Sequence, residues 1–108
     1  MELKRVVVTG LGALTPIGNN IEEYWEGLLN GKSGAAPITH FDASLFKTKF
    51  ACEIKNLDVQ DHIDRKEARK MDRFSQYAMV SSKEAVADSG ILDSDPNVDR
   101  IGVIWGSG

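Results

Sequence analysis

Apolar positions along the chain fall into blocks of different period. Val6, Val7 and Val8 form a β-branched run between the charged Lys4–Arg5 pair and Gly10. An unbroken apolar run of that length is the pattern of a strand buried on both faces, as in a parallel sheet. "RIGVIWGSG" repeats the pattern at the far end. Between them, Ile21, Trp25, Leu28 and Leu29 recur at helical spacing. Asn20 is placed to cap that helix, with Glu22 and Glu23 in its first turn and Gly31 as its stop. "KFACEI" alternates instead, with Phe50, Cys52 and Ile54 on one side and Lys49, Ala51 and Glu53 on the other. That predicts a half-exposed strand. Residues 61–89 read as strongly helical. Asp72 is placed to cap a fresh helix that buries Phe74, Tyr77, Ala78, Ser81 and Ala85, and Gly90 closes it. Residues 31–44 and the "DSDPNVD" stretch read as loop and turn.

The stretch "RVVVTGLGALTPIGNN" poses a chemical question, because Gly10-x-Gly12 directly after a strand is half of a dinucleotide-binding loop. The third glycine of that loop, which lets helix and strand pack closely, belongs at residue 15, and Thr15 followed by Pro16 stands there. A helix starting at Gly12 would carry Pro16 inside its first turns, where only the opening position tolerates it. The acidic residue expected about 20 positions further on, at the end of a second strand, falls in a region that reads as helix. The stretch is a buried strand and a tight turn.

Composition narrows the class. At 108 residues the chain has the size of one small domain. Hydrophobic content of 42% and charged content of 27% are ordinary for a globular protein and argue against disorder and membrane spanning. No apolar run approaches the roughly 20 residues of a membrane helix. The N-terminal apolar stretch is broken by Gly10, Gly12 and Pro16, so it is no secretory signal, and the cytoplasm is the expected location. The single cysteine, Cys52, excludes an internal disulfide. A net charge of −3 argues against a nucleic-acid partner. Nothing in the sequence marks a metal site. Two strands of the buried parallel type with so few helices to cover them predict the N-terminal portion of a larger protein, with Met1 as a natural start and Gly108 as an interruption.

Charge is concentrated in "DRKEARKMDRF". If the segment is helical, Lys66, Arg69, Lys70 and Arg73 share one face. Such a stripe attracts an acidic partner. By charge alone a solvated face, partly neutralised by Asp64, Glu67 and Asp72, is the favoured reading.

"RVVVTGLGALTPIGNN", "HFDAS", "KFACEI", "RKEARKMDRFSQYA", "AVADSGI" and "RIGVIWGSG" together resemble the N-terminal part of the β-ketoacyl-acyl carrier protein synthases, condensing enzymes of the thiolase-like superfamily. The resemblance runs in order over essentially the whole chain, and "RKEARKMD" leans toward the type II fatty-acid branch. It implies an α/β fold: part of the N-terminal half of an α/β/α/β/α arrangement, with a mainly parallel buried sheet and flanking helices. Residues 1–108 would be an incomplete N-terminal segment of the synthase's N-terminal domain. It also implies a homodimer that takes an acyl chain onto a cysteine and condenses it with malonyl-acyl carrier protein, losing carbon dioxide. No cofactor of its own is implied, since the phosphopantetheine arrives on the carrier protein. In such enzymes a cysteine at a helix N-terminus, two histidines and an oxyanion hole do the chemistry.

None of that machinery matches this span, so no catalytic residue is expected within it. Cys52 lies mid-strand beside Glu53, and His40 in "THFD" and His62 in "DHID" lack the family's glycine-flanked surroundings. All three are expected to be structural. Two features do carry over. Lys66, Arg69 and Lys70 fall where the family presents cations to the acidic helices of acyl carrier protein. Gly106, Ser107 and Gly108 match the start of a loop that leads into the acyl pocket near the dimer interface, and by themselves read as a turn after a strand. A polyketide ketosynthase, its non-catalytic chain-length partner, and a free-standing carrier-protein-binding module are the competing readings.

Overall fold

The computed structural model describes residues 1–107. Helix α1 spans Ile21–Leu29, followed by strands β1 (Ala35–Pro37) and β2 (Phe50–Cys52), then helices α2 (Arg65–Ala68) and α3 (Arg73–Ser89). Single 3₁₀ turns stand at Val59–Asp61, Ile91–Ser94 and Val98–Arg100.

Both longer helices start and stop where their capping residues dictate. The Asn20 side chain accepts from Glu23 N at 2.8 Å, and the Glu23 carboxylate reaches back to Asn19 N at 2.8 Å. These bonds satisfy two donors that the chain leaves free as it enters α1. The Asp72 carboxylate accepts from Ser75 N at 3.1 Å and opens α3. Gly90, at φ +65°, closes it in the left-handed conformation that glycine adopts without strain. Of the positions expected inside α3, Ser81 is buried and Tyr77, Ala78 and Ala85 are half-buried, whereas Phe74 remains exposed. Val80 is buried as well.

The loop before α1 lies directly on α3. A Cβ at Gly12 would stand 2.0 Å from the Ser81 carbonyl oxygen, and one at Gly10 would stand 2.3 Å from that of Ala85. The glycines are there because backbone meets backbone with no room for a side chain. Carboxylates on α3 hold the loop down: Leu11 N donates to Asp88 at 2.9 Å and Ala13 N to Glu84 at 2.9 Å. Glu84 also accepts from Ile21 N, the first residue of α1, at 3.0 and 3.2 Å. Further along, Thr15 and Gly18 exchange backbone bonds of 2.8 and 3.2 Å around Pro16 and Ile17. The tight turn expected from the sequence is present, and the glycine pair serves helix packing rather than a phosphate.

The sheet differs from expectation. Among the described residues the strands form one antiparallel pair, with Ala35 opposite Cys52, Ala36 opposite Ala51 and Pro37 opposite Phe50. No parallel pairing of the expected buried sheet is present among the described residues. Val7 is 61% exposed and Ile104 101%, and neither terminal apolar run has a strand alongside it among the described residues. A strand buried on both faces needs neighbours at its edges and layers above and below, and these residues supply only one long helix. The half-exposed strand expected over residues 49–54 is present over Phe50–Cys52, with Ala51 half-buried and Phe50 and Cys52 exposed. Alternation says which residues share a face, while the neighbouring layer decides which face is covered.

The α1 stripe is likewise uncovered, with Trp25, Leu28 and Leu29 exposed. Buried apolar residues are few among those described: Ala43, Ile63, Ala68 and Val80. The radius of gyration is 17.2 Å, against about 13 Å for a self-contained domain of this size.

Candidate docking surface

Helix α2 presents the cations. Asp64 caps it, its carboxylate accepting from Lys66 N at 3.1 Å. The helix tightens at its end, where Lys70 N and Met71 N bond back only three residues, to Glu67 O and Ala68 O. Asp72 then starts α3, and Gln76 Nε2 donates to the same Ala68 carbonyl at 2.9 Å. The basic stripe therefore does not run on one continuous helix. Lys66, Arg69 and Lys70 share α2 and its last turn, and Arg73 belongs to α3.

Arg73 is occupied elsewhere. Its Nη1 stands 2.8 Å from His40 Nδ1. A guanidinium only donates, which assigns the lone pair to Nδ1 and the ring proton to Nε2. Glu53 Oε1 lies 3.8 Å from the same nitrogen. The Thr39 hydroxyl donates to Glu53 at 2.7 Å, and the backbone N–H groups of Thr39 and His40 add bonds of 3.1 and 3.3 Å. Led by the Thr39 hydroxyl, these donors hold the Glu53 carboxyl below the usual carboxylate range. The cluster ties the segment after β1 to β2 and to the start of α3, a structural role for His40.

Lys70 is partly engaged too, pairing with Glu67 at 3.0 Å on the surface. Lys66 and Arg69 are exposed, and neither side-chain cation forms an ion pair among the described residues. His62 lends its carbonyl to Lys83 Nζ. Cys52 is an exposed thiol, with no hydrogen bond to either histidine among the described residues. No group of three or more metal-ligating side chains gathers among the described residues. Lys55 is a cation wholly committed to structure, with Nζ donating to the carbonyls of Gly34, Glu53 and Pro16 at 2.6, 2.9 and 3.3 Å. Gly106 and Ser107 are exposed, and Gly108 lies outside the described residues.

Residues 3–108 match the family model described as "Beta-ketoacyl synthase, N-terminal domain". The chain belongs to the β-ketoacyl synthase family. This synthase segment is 49% identical over all 108 residues to 3-oxoacyl-[acyl-carrier-protein] synthase 2 of Synechocystis sp.. It is 51% identical over 105 residues to the Staphylococcus aureus protein of the same name. It spans 26% and 25% of those relatives, about a quarter of their length. Among solved structures, the ishigamide ketosynthase/chain length factor superposes with a TM-score of 0.75 at 39% identity, over 82% of this chain and 22% of that one. No helix among the described residues is long and apolar enough to cross a membrane.

Glu84 and Asp88 are what the sequence reading of this synthase segment missed. They stand four apart on α3, on the side of the small residues Ser81 and Ala85 that meet the glycine loop. That acid spacing beside small residues was a usable signal.

Proposed function

We propose that this chain is the N-terminal segment of an elongating condensing enzyme, a type 2 3-oxoacyl-[acyl-carrier-protein] synthase. One observation carries the reading: identity of about half, sustained over the whole chain, to two synthases of that name. In the full enzyme an acyl group sits as a thioester on a cysteine outside this segment. Malonyl-acyl carrier protein loses carbon dioxide, its carbanion attacks the acyl carbonyl, and the cysteine leaves as thiolate. The product is a 3-oxoacyl thioester on the carrier, and the phosphopantetheine belongs to that carrier. The enzyme works as a homodimer in the cytoplasm.

The exposed valines near residue 7 and the apolar run around Ile104 then belong to a parallel sheet completed by the rest of the enzyme. Gly106, Ser107 and Gly108 open the loop toward the acyl pocket. Lys66, Arg69 and Lys70 dock the carrier protein, their exposure favouring contact with an acidic surface. A polyketide ketosynthase or its chain-length partner is the second reading, favoured by the 39% identity to the ishigamide ketosynthase/chain length factor.

The test is made in the full-length enzyme. Lys66→Glu combined with Arg69→Glu raises the KM for carrier-bound substrate and spares a small soluble acyl thioester. The wild-type KM climbs with ionic strength, and that of the double variant climbs less. Equal damage with both substrates refutes the docking role. Absence of condensation by the unaltered full-length enzyme favours the chain-length partner instead.

A further inference from the structure

Arg65 was not among the residues the sequence singled out, and the structure places it with Arg69. The two stand one helical turn apart, with Arg69 N donating to Arg65 O at 3.2 Å. Both residues line a single cleft of about 310 Å³, together with Val59, Gln60 and Gln76. Both are exposed, and neither guanidinium forms an ion pair among the described residues. Asp58 is the one acid lining the cleft, and its carboxylate is turned to the Gln60 N–H at 2.9 Å. By contrast Lys70 has Glu67 beside it and Arg73 has His40. The free positive charge of this surface is thus shifted toward Arg65, Lys66 and Arg69.

Two arginines lining one cleft, neither with an ion-pair partner among the described residues, fit a planar anion that each guanidinium can hold through paired N–H donors. We infer that Arg65 and Arg69 form a forked seat for one carboxylate on an acidic helix of the docked carrier protein, with Lys66 beside the seat. The inference rests on the docking reading above and adds to it a residue and a geometry. Gln60 at the edge supplies a further amide able to donate to the seated group. Both arginines are exposed, so the seat contributes orientation and a moderate share of affinity.

The experiment uses the full-length enzyme with carrier-bound acyl substrate and, separately, a small soluble acyl thioester. Arg65→Gln is expected to raise the KM for the carrier-bound substrate about three- to tenfold, the size of one charge-assisted contact at a partly exposed interface, with kcat unchanged. The small thioester should be processed as before. Arg65→Lys, which retains the charge and loses the fork, should fall between wild type and Arg65→Gln. It also carries the test if Arg65→Gln does not fold. A KM unchanged in Arg65→Gln while Lys66→Glu with Arg69→Glu raises it overturns the seat and leaves docking standing. Arg65→Lys matching wild type overturns the fork. Unchanged KM in every variant removes the docking reading itself, and equal loss with both substrates assigns Arg65 to the fold.

Discussion

Replacing Gly12 with alanine tests the contact on which the arrangement of α1 and α3 depends. The new Cβ would stand 2.0 Å from the Ser81 carbonyl oxygen and 2.9 Å from Ala85 N, both helix backbone that cannot swing aside. Ordinary contact begins at 3.4 Å, so loop and helix must part by about 1.4 Å. The hydrogen bonds on either side, Leu11 N to Asp88 and Ala13 N to Glu84, are both 2.9 Å long. A shift of that size breaks at least one of them. Overpacking costs about 1–3 kcal/mol, and loss of a hydrogen bond to a carboxylate about 1.5–3 kcal/mol. The expected total is about 2.5–6 kcal/mol. In the full-length enzyme, urea titration should show that loss. Amide exchange in a peptide covering residues 9–21 should accelerate on the order of a hundredfold, since about 1.4 kcal/mol is a factor of ten. Gly31→Ala is the control. Gly31 has φ +63° and nothing within 4 Å of an added Cβ, so only backbone strain of about 1–2 kcal/mol is expected. A Gly12→Ala enzyme with wild-type stability and exchange, or one less affected than Gly31→Ala, refutes the backbone-contact argument.

Three further outcomes follow from the same geometry. Asp72→Ala removes the cap on Ser75 N and should cost about 0.5–2 kcal/mol in urea titration; an unchanged midpoint would show that the helix start is held by other contacts. Because the Glu53 carboxyl lies below its ordinary value, its stabilisation is present above the ordinary carboxylate pKa and is lost as pH falls through the lowered one. Thermal melting from about pH 5 down to 2 should therefore be flatter for Glu53→Gln than for wild type, and parallel curves contradict the assignment. Cys52→Ser should retain condensation in the full-length enzyme, because the thiol is exposed on β2; loss of turnover with folding intact would make it a reacting group.

Local chemistry was legible in the residues themselves. Asn20 and Asp72 announced the helix starts, because a short polar side chain at that position satisfies donors that the backbone leaves free. Gly90 announced the end of α3 for the converse reason, adopting the left-handed turn without a Cβ clash. Thr15 and Pro16 sufficed to reject a phosphate loop. These signals act over three or four residues, so the sequence contains both partners.

Pairings across distance were settled only in the folded chain. The runs Val6–Val8 and Ile101–Ile104 carry the pattern of buried strands, yet a strand takes its ladder and its cover from other segments, and here they stand exposed. Alternation expected over residues 49–54 holds across Phe50–Cys52 only, where Ala51 is half-buried between exposed neighbours, and beyond it Ile54 is half-buried with Glu53. Gly10 and Gly12 looked like a turn until α3 came to lie against them. The basic stripe changed most. Spacing put Lys66, Arg69, Lys70 and Arg73 together, but the break at Asp72 and the engagement of Arg73 by His40 and of Lys70 by Glu67 divided them. Charge along a sequence shows what can attract. Which charges remain free is decided by contacts as far apart as residues 40 and 73, and only tertiary structure brings those together.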